Sequence, residues 1–369
     1  MILFQLVFTV VFDIRSSRSM KESTQITKNK PTQKTLEGRK RFLTGVKATG
    51  QIHLGNYFGA IKPMMELSQN IENEVILMCV DWHGLTNRSK ILLPGELSHS
   101  IISLYLALGF NLKGNSIILQ SDFPQIQENS WYLSCSTAAG LLERSHAYKD
   151  AIANGKEATA GLLYYPVLMA SDIVTFDSQF IPVGKDQNQH LEYASDMAKL
   201  FNNLVETDVY LEAQGVIQET PTLIGTDGDR KMSKSYNNDI PIFAAKKEIE
   251  KKVKEIKTDS KGLDDPKDPN TCTIFQIFQS FASEEAISYM KERLEKGTGY
   301  GYGHAKKDFV DEHERVFGSF REKYDFYLNN KNTLKELLQP GYERAHKYAD
   351  SVTERARMAL GLKSYNKLK

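Results

Sequence analysis

A short polar segment in the second half of the sequence carries residues suited to phosphate chemistry. It reads KMSKS from Lys231 to Ser235 and follows glycines, aspartates and an arginine between Gly225 and Arg230. This composition predicts a mobile surface loop. Lysines beside the β- and γ-phosphates of ATP can stabilise the charge that develops when a carboxylate attacks the α-phosphorus. Taken alone, the segment is also compatible with a solvated basic loop.

A second candidate phosphate site lies earlier, beyond the point near Thr44 where the first predicted strand ends. The motif HLGN, from His53 to Asn56, stands in a glycine-rich stretch. At a junction between strand and helix, backbone N–H groups favour phosphate, and imidazole and amide groups can donate hydrogen bonds to it. Without a second motif, a glycine-rich turn explains the pattern equally well.

A third segment, VGKDQNQH from Val183 to His190, follows a predicted strand and opens a predicted helix. Gly184 permits a close approach of the backbone to a ligand, and Asp186 can accept hydrogen bonds from a ribose. Gln187 is the second candidate there. The segment is expected to lie beside a nucleoside.

The segment YYPVLMASD, from Tyr164 to Asp172, predicts a helix that begins at or after Pro166. Met169 and Asp172 are three residues apart and share a helix face, with Tyr165 one turn earlier. A thioether surface and one carboxylate acceptor suit a flat apolar ring with a single N–H donor, such as an indole. The plain alternative is a core helix with a capping aspartate.

Alternating elements must position these groups. Short apolar runs at Val75 to Val80, Ser116 to Leu119 and Phe180 to Val183 alternate with helical patterns such as Leu97 to Leu108 and Leu191 to Leu204. This alternation predicts an α/β fold with a parallel sheet. After about residue 241 only helical patterns remain, and the last helix is expected from about Tyr342 to Leu360. We expect a disordered leader over residues 1–40, a catalytic domain over 41–240 and a helical domain over 241–369.

Composition places the chain among soluble globular proteins: 369 residues, 41% hydrophobic and 25% charged, with a net charge of +1. The opening apolar run is too short to span a bilayer, and Met20 is a candidate start. Three scattered cysteines argue against a disulfide framework, a zinc site or an iron–sulfur cluster, and they fit a cytoplasmic location.

HxGN after the first strand of the sheet and KMSKS after the sheet, taken together, resemble the class I aminoacyl-tRNA synthetases, and YYPVLMASD is similar to the tryptophanyl-tRNA synthetases among them. The resemblance covers about residues 41–362. It implies a Rossmann-like catalytic domain, a helical domain that binds the tRNA anticodon, and a homodimer. It also implies that L-tryptophan and ATP form tryptophanyl-adenylate, that the acyl group passes to tRNA(Trp), and that Mg²⁺ is held through the ATP phosphates.

The resemblance assigns roles by position. Asp172 takes the indole N–H, Met169 packs on the ring, and Tyr165 meets the amino group. The expected tryptophan site comprises Leu43, His83, Tyr165, Met169, Asp172 and Gln187. The expected ATP site comprises Lys47, Thr49, Gly50, His53, Gly55, Asn56, Gly184, Asp186, Gln187, Lys231, Met232, Ser233, Lys234 and Ser235. The expected catalytic groups are His53, Asn56, Lys231, Ser233 and Lys234.

The sequence departs from the family pattern at several positions. The family commonly has Phe at Leu43, Gln at Lys47, Pro at Ala48 and Glu at Lys185. Lys47 adds positive charge beside the expected ATP. A lysine that contacts pyrophosphate in the family is replaced by Ala151, which puts the role of Lys149 in doubt.

Three other functions share parts of this pattern. A tyrosyl-tRNA synthetase shares the fold but usually offers a glutamine near Met169. A small nucleotidyltransferase with an HxGH-type site would be shorter and would lack KMSKS before a helical domain. A synthetase-like binding protein without catalysis would be favoured by degraded motifs, whereas His53, Lys231 and Lys234 are all present.

Overall fold

The computed structural model describes residues 38–47, 51–86, 94–155, 157–183, 188–217 and 222–362. Within this part of the chain, five parallel strands form one sheet in the order β3-β2-β1-β4-β5. The strands are β1 Lys40–Val46, β2 Asn73–Cys79, β3 Ser116–Leu119, β4 Phe180–Val183 and β5 Gln214–Ile217. The α/β fold with a parallel sheet is therefore confirmed.

Helices connect the strands and form the C-terminal part of the described chain. In chain order they are α1 Leu54–Asn56, α2 Lys62–Gln69, α3 Asp81–Gly84, α4 Pro94–Ala107, α5 Pro124–Ser136, α6 Ala139–Glu143, α7 His146–Ala153, α8 Ala160–Thr175, α9 Asn188–Leu204, α10 Lys246–Lys254, α11 Thr273–Phe278, α12 Glu284–Lys296, α13 Tyr302–Asn329 and α14 Lys331–Ala359. A π-helical turn, Tyr57–Ile61, joins α1 to α2. None of the helices in the described ranges combines the length and apolar character that crossing a membrane requires.

Both faces of the sheet are covered. Every residue of β2 is buried, as expected for a parallel strand between two helical layers. Along β2, Val75 and Leu77 belong to an apolar cluster shared with α10 to α13. Ile76 and Met78, which point to the opposite face, belong to a cluster shared with α5, α8, α9 and α14.

The strand order creates a crevice at the carboxyl-terminal ends of the strands. The chain passes from β1 to β2 and β3 in one direction, and it then returns to place β4 and β5 on the other side of β1. The connections therefore diverge between the carboxyl ends of β1 and β4. Open α/β sheets bind their ligands at such a point.

Helix α14 covers the edge strand β3. Ser116 Oγ donates to the Gly341 carbonyl at 3.0 Å, and a Cβ at Gly341 would lie 3.1 Å from the Ser116 Cα. Tyr342 accepts at its hydroxyl from the Leu119 N–H at 2.9 Å and donates to Asp122 at 2.8 Å. The last helix thus packs on the sheet, and the proposed boundary at residue 241 stays a prediction.

Two predicted helix starts were wrong, each at a proline. The helix expected from Pro166 begins at Ala160, and the last helix, expected from about Tyr342, begins at Lys331 and contains Pro340. Proline removes one backbone donor and disfavours a helix interior. In α8 the start is set by Thr159, whose hydroxyl accepts from the Leu162 N–H at 3.1 Å.

Candidate active site

A pocket occupies the crevice where β1 and β4 diverge, and we call it the crevice pocket. Among the described residues, most of its wall is apolar, and the ionisable groups that line it are a carboxylate and an imidazole. The lining residues come from β1, β2, β4, α3, α8 and α9 and their ends: Leu43, Thr44, Gly45, Met78, Val80, His83, Met169, Asp172, Ile173, Ile181, Pro182, Val183 and Leu191.

Asp172 is the central polar group of the crevice pocket. It is only 4% exposed, and both of its oxygens have partners. Oδ2 lies 2.8 Å from His83 Nε2, and Oδ1 accepts from Gln120 Nε2 at 2.7 Å. Burial raises the pKa of the Asp172 carboxyl above its ordinary value, and the hydrogen bonds from His83 and Gln120 offset part of that rise. The pair of side chains thus favours the ionised, accepting form.

Four of the predicted tryptophan-site residues meet in this pocket: Leu43, His83, Met169 and Asp172. Tyr165 lies in α8 but packs with Ala147 and Ala151 of α7 in a separate small cluster. Burial raises its pKa to about 12, so the phenol is protonated at neutral pH. Its contact with a substrate amino group stays a prediction. Gln187 lies outside the described residues.

His53 and Asn56 cap the first helix through each other. His53 Nδ1 accepts from the Asn56 N–H, and Asn56 Oδ1 accepts from the His53 N–H, both at 3.3 Å. Burial lowers the pKa of His53 to about 4, an effect that Lys234 reinforces and Asp239 opposes. His53 is therefore neutral at pH 7, and because Nδ1 accepts, Nε2 carries the proton. The Nε2–H and the Asn56 amide can donate to phosphate oxygens.

The two motifs that are far apart in sequence lie together in the structure. The Leu54 N–H donates to the Ile240 carbonyl at 2.9 Å, and the Ile242 N–H donates to the Ile52 carbonyl at 3.0 Å. Gly55 packs on the KMSKS segment, since a Cβ there would stand 3.3 Å from the Met232 Cβ. The HLGN turn and the KMSKS segment are therefore neighbours in the folded chain.

The segment Gly225 to Asn238, which we call the KMSKS loop, is organised by one buried amide. Asn238 accepts at Oδ1 from the Ser233 N–H at 2.7 Å. Its Nδ2 donates to the Lys231 carbonyl at 3.1 Å and to Asp227 at 3.0 Å. A Cβ at Gly225 would collide with this amide, so the glycine permits the approach.

The cations of the KMSKS loop point outward from this framework. Lys231 and Lys234 are exposed, whereas Met232 and Ser233 are buried. Desolvation lowers the pKa of Lys234, and the nearby Asp239 opposes that effect. The loop has a defined hydrogen-bonded form; the mobility predicted for it stays a prediction.

The remaining predicted ATP residues are only partly placed. Lys47 directly follows β1, and desolvation lowers its pKa. Ser235 stands in the exposed part of the KMSKS loop, where its N–H donates to Ser233 Oγ at 3.3 Å. Five of the predicted ATP residues lie outside the described residues: Thr49, Gly50, Gly184, Asp186 and Gln187. Ala48 lies outside them too. Lys185 lies outside them as well.

Two polar residues of the site escaped sequence analysis. Gln120 and Asn238 are buried amides that hold Asp172 and the KMSKS loop, respectively. Each had a weak signal: Gln120 immediately follows a predicted strand, and Asn238 stands three residues after KMSKS. Neither signal distinguishes a site residue from an ordinary loop amide.

Known proteins share both the sequence pattern and this architecture. The family model described as tRNA synthetases class I (W and Y) matches residues 34–318. The tryptophan–tRNA ligase of Rhodopirellula baltica is 40% identical over 324 residues, which span 88% of this chain and 100% of that protein.

Solved structures agree with these matches. Tryptophanyl-tRNA synthetase from Campylobacter jejuni aligns with a TM-score of 0.83 at 38% identity, over 88% of this chain and 100% of that one. A structure of the Campylobacter jejuni enzyme complexed with ADP and tryptophan gives 0.81 at 39% identity, over 87% and 100%. The fold is that of a class I aminoacyl-tRNA synthetase. Within that class, the chain belongs to the family of tRNA synthetases for tryptophan and tyrosine.

Proposed function

We propose that this chain is a tryptophan–tRNA ligase, which activates L-tryptophan with ATP, releases pyrophosphate and passes the tryptophanyl group to tRNA(Trp). The observation that carries this function is the buried carboxylate of Asp172 in a pocket whose wall is mostly apolar. An indole presents one N–H on a flat apolar ring, so the pocket suits it. The relatives that are named tryptophan–tRNA ligase support the same assignment.

In the bound state we assign the indole N–H to Asp172 and the ring faces to Met169 and the apolar wall. A phenol would place its hydroxyl where a second polar partner is required. The lining that surrounds Asp172 offers His83 and Thr44 as further polar side chains, and His83 is already engaged with the carboxylate. This arrangement favours tryptophan over tyrosine.

Activation joins the amino acid to AMP. A carboxylate oxygen of tryptophan attacks the α-phosphorus of ATP, and the bond to the oxygen of the departing pyrophosphate breaks. Neutral His53 donates from Nε2 to a phosphate oxygen, with Asn56 beside it. Lys231 and Lys234 stabilise the charge that grows on pyrophosphate. The residues position the reactants, and no covalent enzyme intermediate is required.

Mg²⁺ is assigned to the ATP phosphates. The described residues contain no group of three His, Cys, Asp or Glu side chains arranged to hold a metal ion. Mg²⁺ commonly binds through substrate phosphates and water, with few protein ligands. The ion would neutralise phosphate charge while the lysines of the KMSKS loop contact the same group.

We further propose a homodimer. Large apolar side chains are exposed on α5 and α9, which pack against each other: Trp131 is 65% exposed and Leu204 is 63% exposed. A second copy of the chain would cover such side chains. Light scattering should give twice the monomer mass, and Trp131→Glu should shift the protein to monomer. A wild-type monomer at micromolar concentration would contradict this assembly.

The tRNA partner and the location follow from the same proposal. The helical region α10 to α13 carries exposed or half-buried basic residues, among them Lys307, Lys323 and Arg315, that can contact phosphates. The described cysteines are free, in keeping with the cytoplasmic location that we propose.

The function is tested by ATP–pyrophosphate exchange with each of the twenty amino acids. Tryptophan should stimulate exchange, and tRNA(Trp) should then accept the labelled amino acid. Exchange stimulated by tyrosine in place of tryptophan would overturn the specificity. Binding of tryptophan without any exchange would favour a synthetase-like protein that lacks catalysis.

A further inference from the structure

Gln120 is a fully buried amide just beyond the carboxyl end of β3. It does not line the crevice pocket. Its Nε2 nevertheless donates to Asp172 Oδ1 at 2.7 Å, and its Oε1 accepts from the Trp82 N–H at 3.1 Å. One side chain therefore connects the turn that carries His83 with the helix that carries Asp172.

The Trp82 contact fixes which way the amide points. A backbone N–H can only donate, so the oxygen of the Gln120 amide must face Trp82. The NH₂ group must then face Asp172. Because an NH₂ group can only donate, Asp172 Oδ1 accepts this hydrogen bond. Because both ends of the amide are satisfied inside the protein, reorienting it would leave buried groups unpaired.

The surroundings make this hydrogen bond consequential. Asp172 is buried, and the titratable groups that face it from the described elements are His83 and Asp81. Burial and the negative charge of Asp81 raise the pKa of Asp172, while His83 and Gln120 lower it. Gln120 is thus one of two side chains that favour the carboxylate over the acid.

We propose that Gln120 is a positioning residue that holds Asp172 in the orientation and charge state needed to accept the indole N–H, and so helps determine tryptophan affinity. The proposal rests on the proposed function, since it concerns the same pocket. Gln120 acts through Asp172 and touches no substrate. Substituting Gln120 should therefore change tryptophan binding and leave ATP binding unchanged.

The test is tryptophan binding measured by titration calorimetry without ATP, across roughly pH 5 to 9. Wild-type affinity should fall at acid pH as Asp172 takes up a proton. In Gln120→Met the donor is lost and the pKa of Asp172 rises, so this fall should move to higher pH by about one unit, with roughly tenfold weaker binding at pH values below both pKa values. The KM for ATP in pyrophosphate exchange should stay within about twofold.

A matched control is Gln125→Met. Gln125 also donates to an aspartate, Asp350, at 2.6 Å, but this pair is exposed between α5 and α14. The control should bind tryptophan with the wild-type pH profile. A Gln120→Met protein with that same unshifted profile and affinity would overturn the proposal.

Gln120→Glu provides a second variant of nearly unchanged size, with the opposite pH dependence. The new carboxyl and Asp172 would share one proton. When that proton is lost at higher pH, the two carboxylates repel each other and Asp172 loses its orientation, so tryptophan binding should weaken as pH rises. A flat profile in this variant would also count against the positioning role. If the wild-type protein binds no tryptophan at any pH, the proposed function fails instead, which separates the two outcomes.

Discussion

The crevice pocket and the KMSKS loop place their charged groups in opposite ways. In the pocket, the charged group is buried and bound on both oxygens by other side chains, as Asp172 is by His83 and Gln120. In the loop, the buried amide of Asn238 is neutral, and the charged Lys231 and Lys234 are exposed. The pocket fixes its charge in advance, whereas the loop presents its charge to a ligand.

This difference follows from the two ligands. The indole ring carries no charge and can be selected only by shape and by one directed hydrogen bond, which requires a rigid acceptor. Polyphosphate carries several charges whose distribution changes during the reaction, and exposed lysines can follow it. We therefore expect pocket substitutions to change tryptophan binding and loop substitutions to change the rate of activation.

Lys234→Met should have the largest effect. It removes a cation that lies close enough to His53 to lower its pKa, and so stands beside the proposed phosphate site. The kcat for pyrophosphate exchange should fall by roughly a hundredfold to a thousandfold, as when one charge-stabilising donor is lost. Tryptophan affinity measured without ATP should remain within about twofold. Lys251→Met, at an exposed position of α10, is the control. A loss of tryptophan binding in the Lys234 variant would break the contrast between the two regions.

Asp172→Asn, a substitution in the crevice pocket, should have the next largest effect. The amide keeps the shape but can turn its NH₂ group toward the indole N–H, so the acceptor is lost. Removing a hydrogen bond to a buried charge is worth roughly 1.5–3 kcal/mol, or about a 10- to 150-fold rise in the KM for tryptophan. The KM for ATP in exchange assays should not change. Unaltered tryptophan affinity would refute the acceptor role.

Asn238→Ala tests whether the loop framework matters apart from its lysines. It leaves the Ser233 N–H and the Lys231 carbonyl without their buried partner. We expect kcat to fall by about tenfold because the lysines lose their fixed starting position. Asn237→Gly is the control, since that residue has a left-handed φ of 51° that glycine adopts freely. Equal kcat values in the two variants would show that the amide framework is not needed.

Asp239→Asn should have the smallest effect, seen mainly in pH dependence. Asp239 raises the pKa of Lys234, so its removal lowers that pKa further and Lys234 loses its proton at lower pH. The decrease in kcat at alkaline pH, which we call the alkaline limb, should begin at lower pH. At pH 7, kcat should change by less than about threefold. Asp229→Asn, at an exposed position of the same loop, should leave the limb in place. An unmoved limb in Asp239→Asn would mean that Lys234 does not set it.

Sequence reasoning recovered the elements whose signal is local. Strands β1 to β4 were expected from the sequence, whereas β5 was not. The crevice pocket brings together Leu43, His83, Met169 and Asp172. Gln120 was missed because its role arises from tertiary pairing, in which β3 lies beside β2 and places the amide under Trp82. The helix starts were missed because Pro166 and Pro340 both lie inside a helix: α8 is capped at Thr159, and α14 begins at Lys331.

Helix α14 has a consequence for how the protein is made. Its Gly341 closes over Ser116, a residue 225 positions earlier in the chain. At a translation rate of roughly 5–20 residues per second, the outer strand of the sheet leaves the ribosome about 10 to 45 seconds before the helix that will cover it. During that interval the unpaired backbone of β3 is open to other nascent chains. The newborn protein is therefore vulnerable at this edge of its sheet until its last helix has been made.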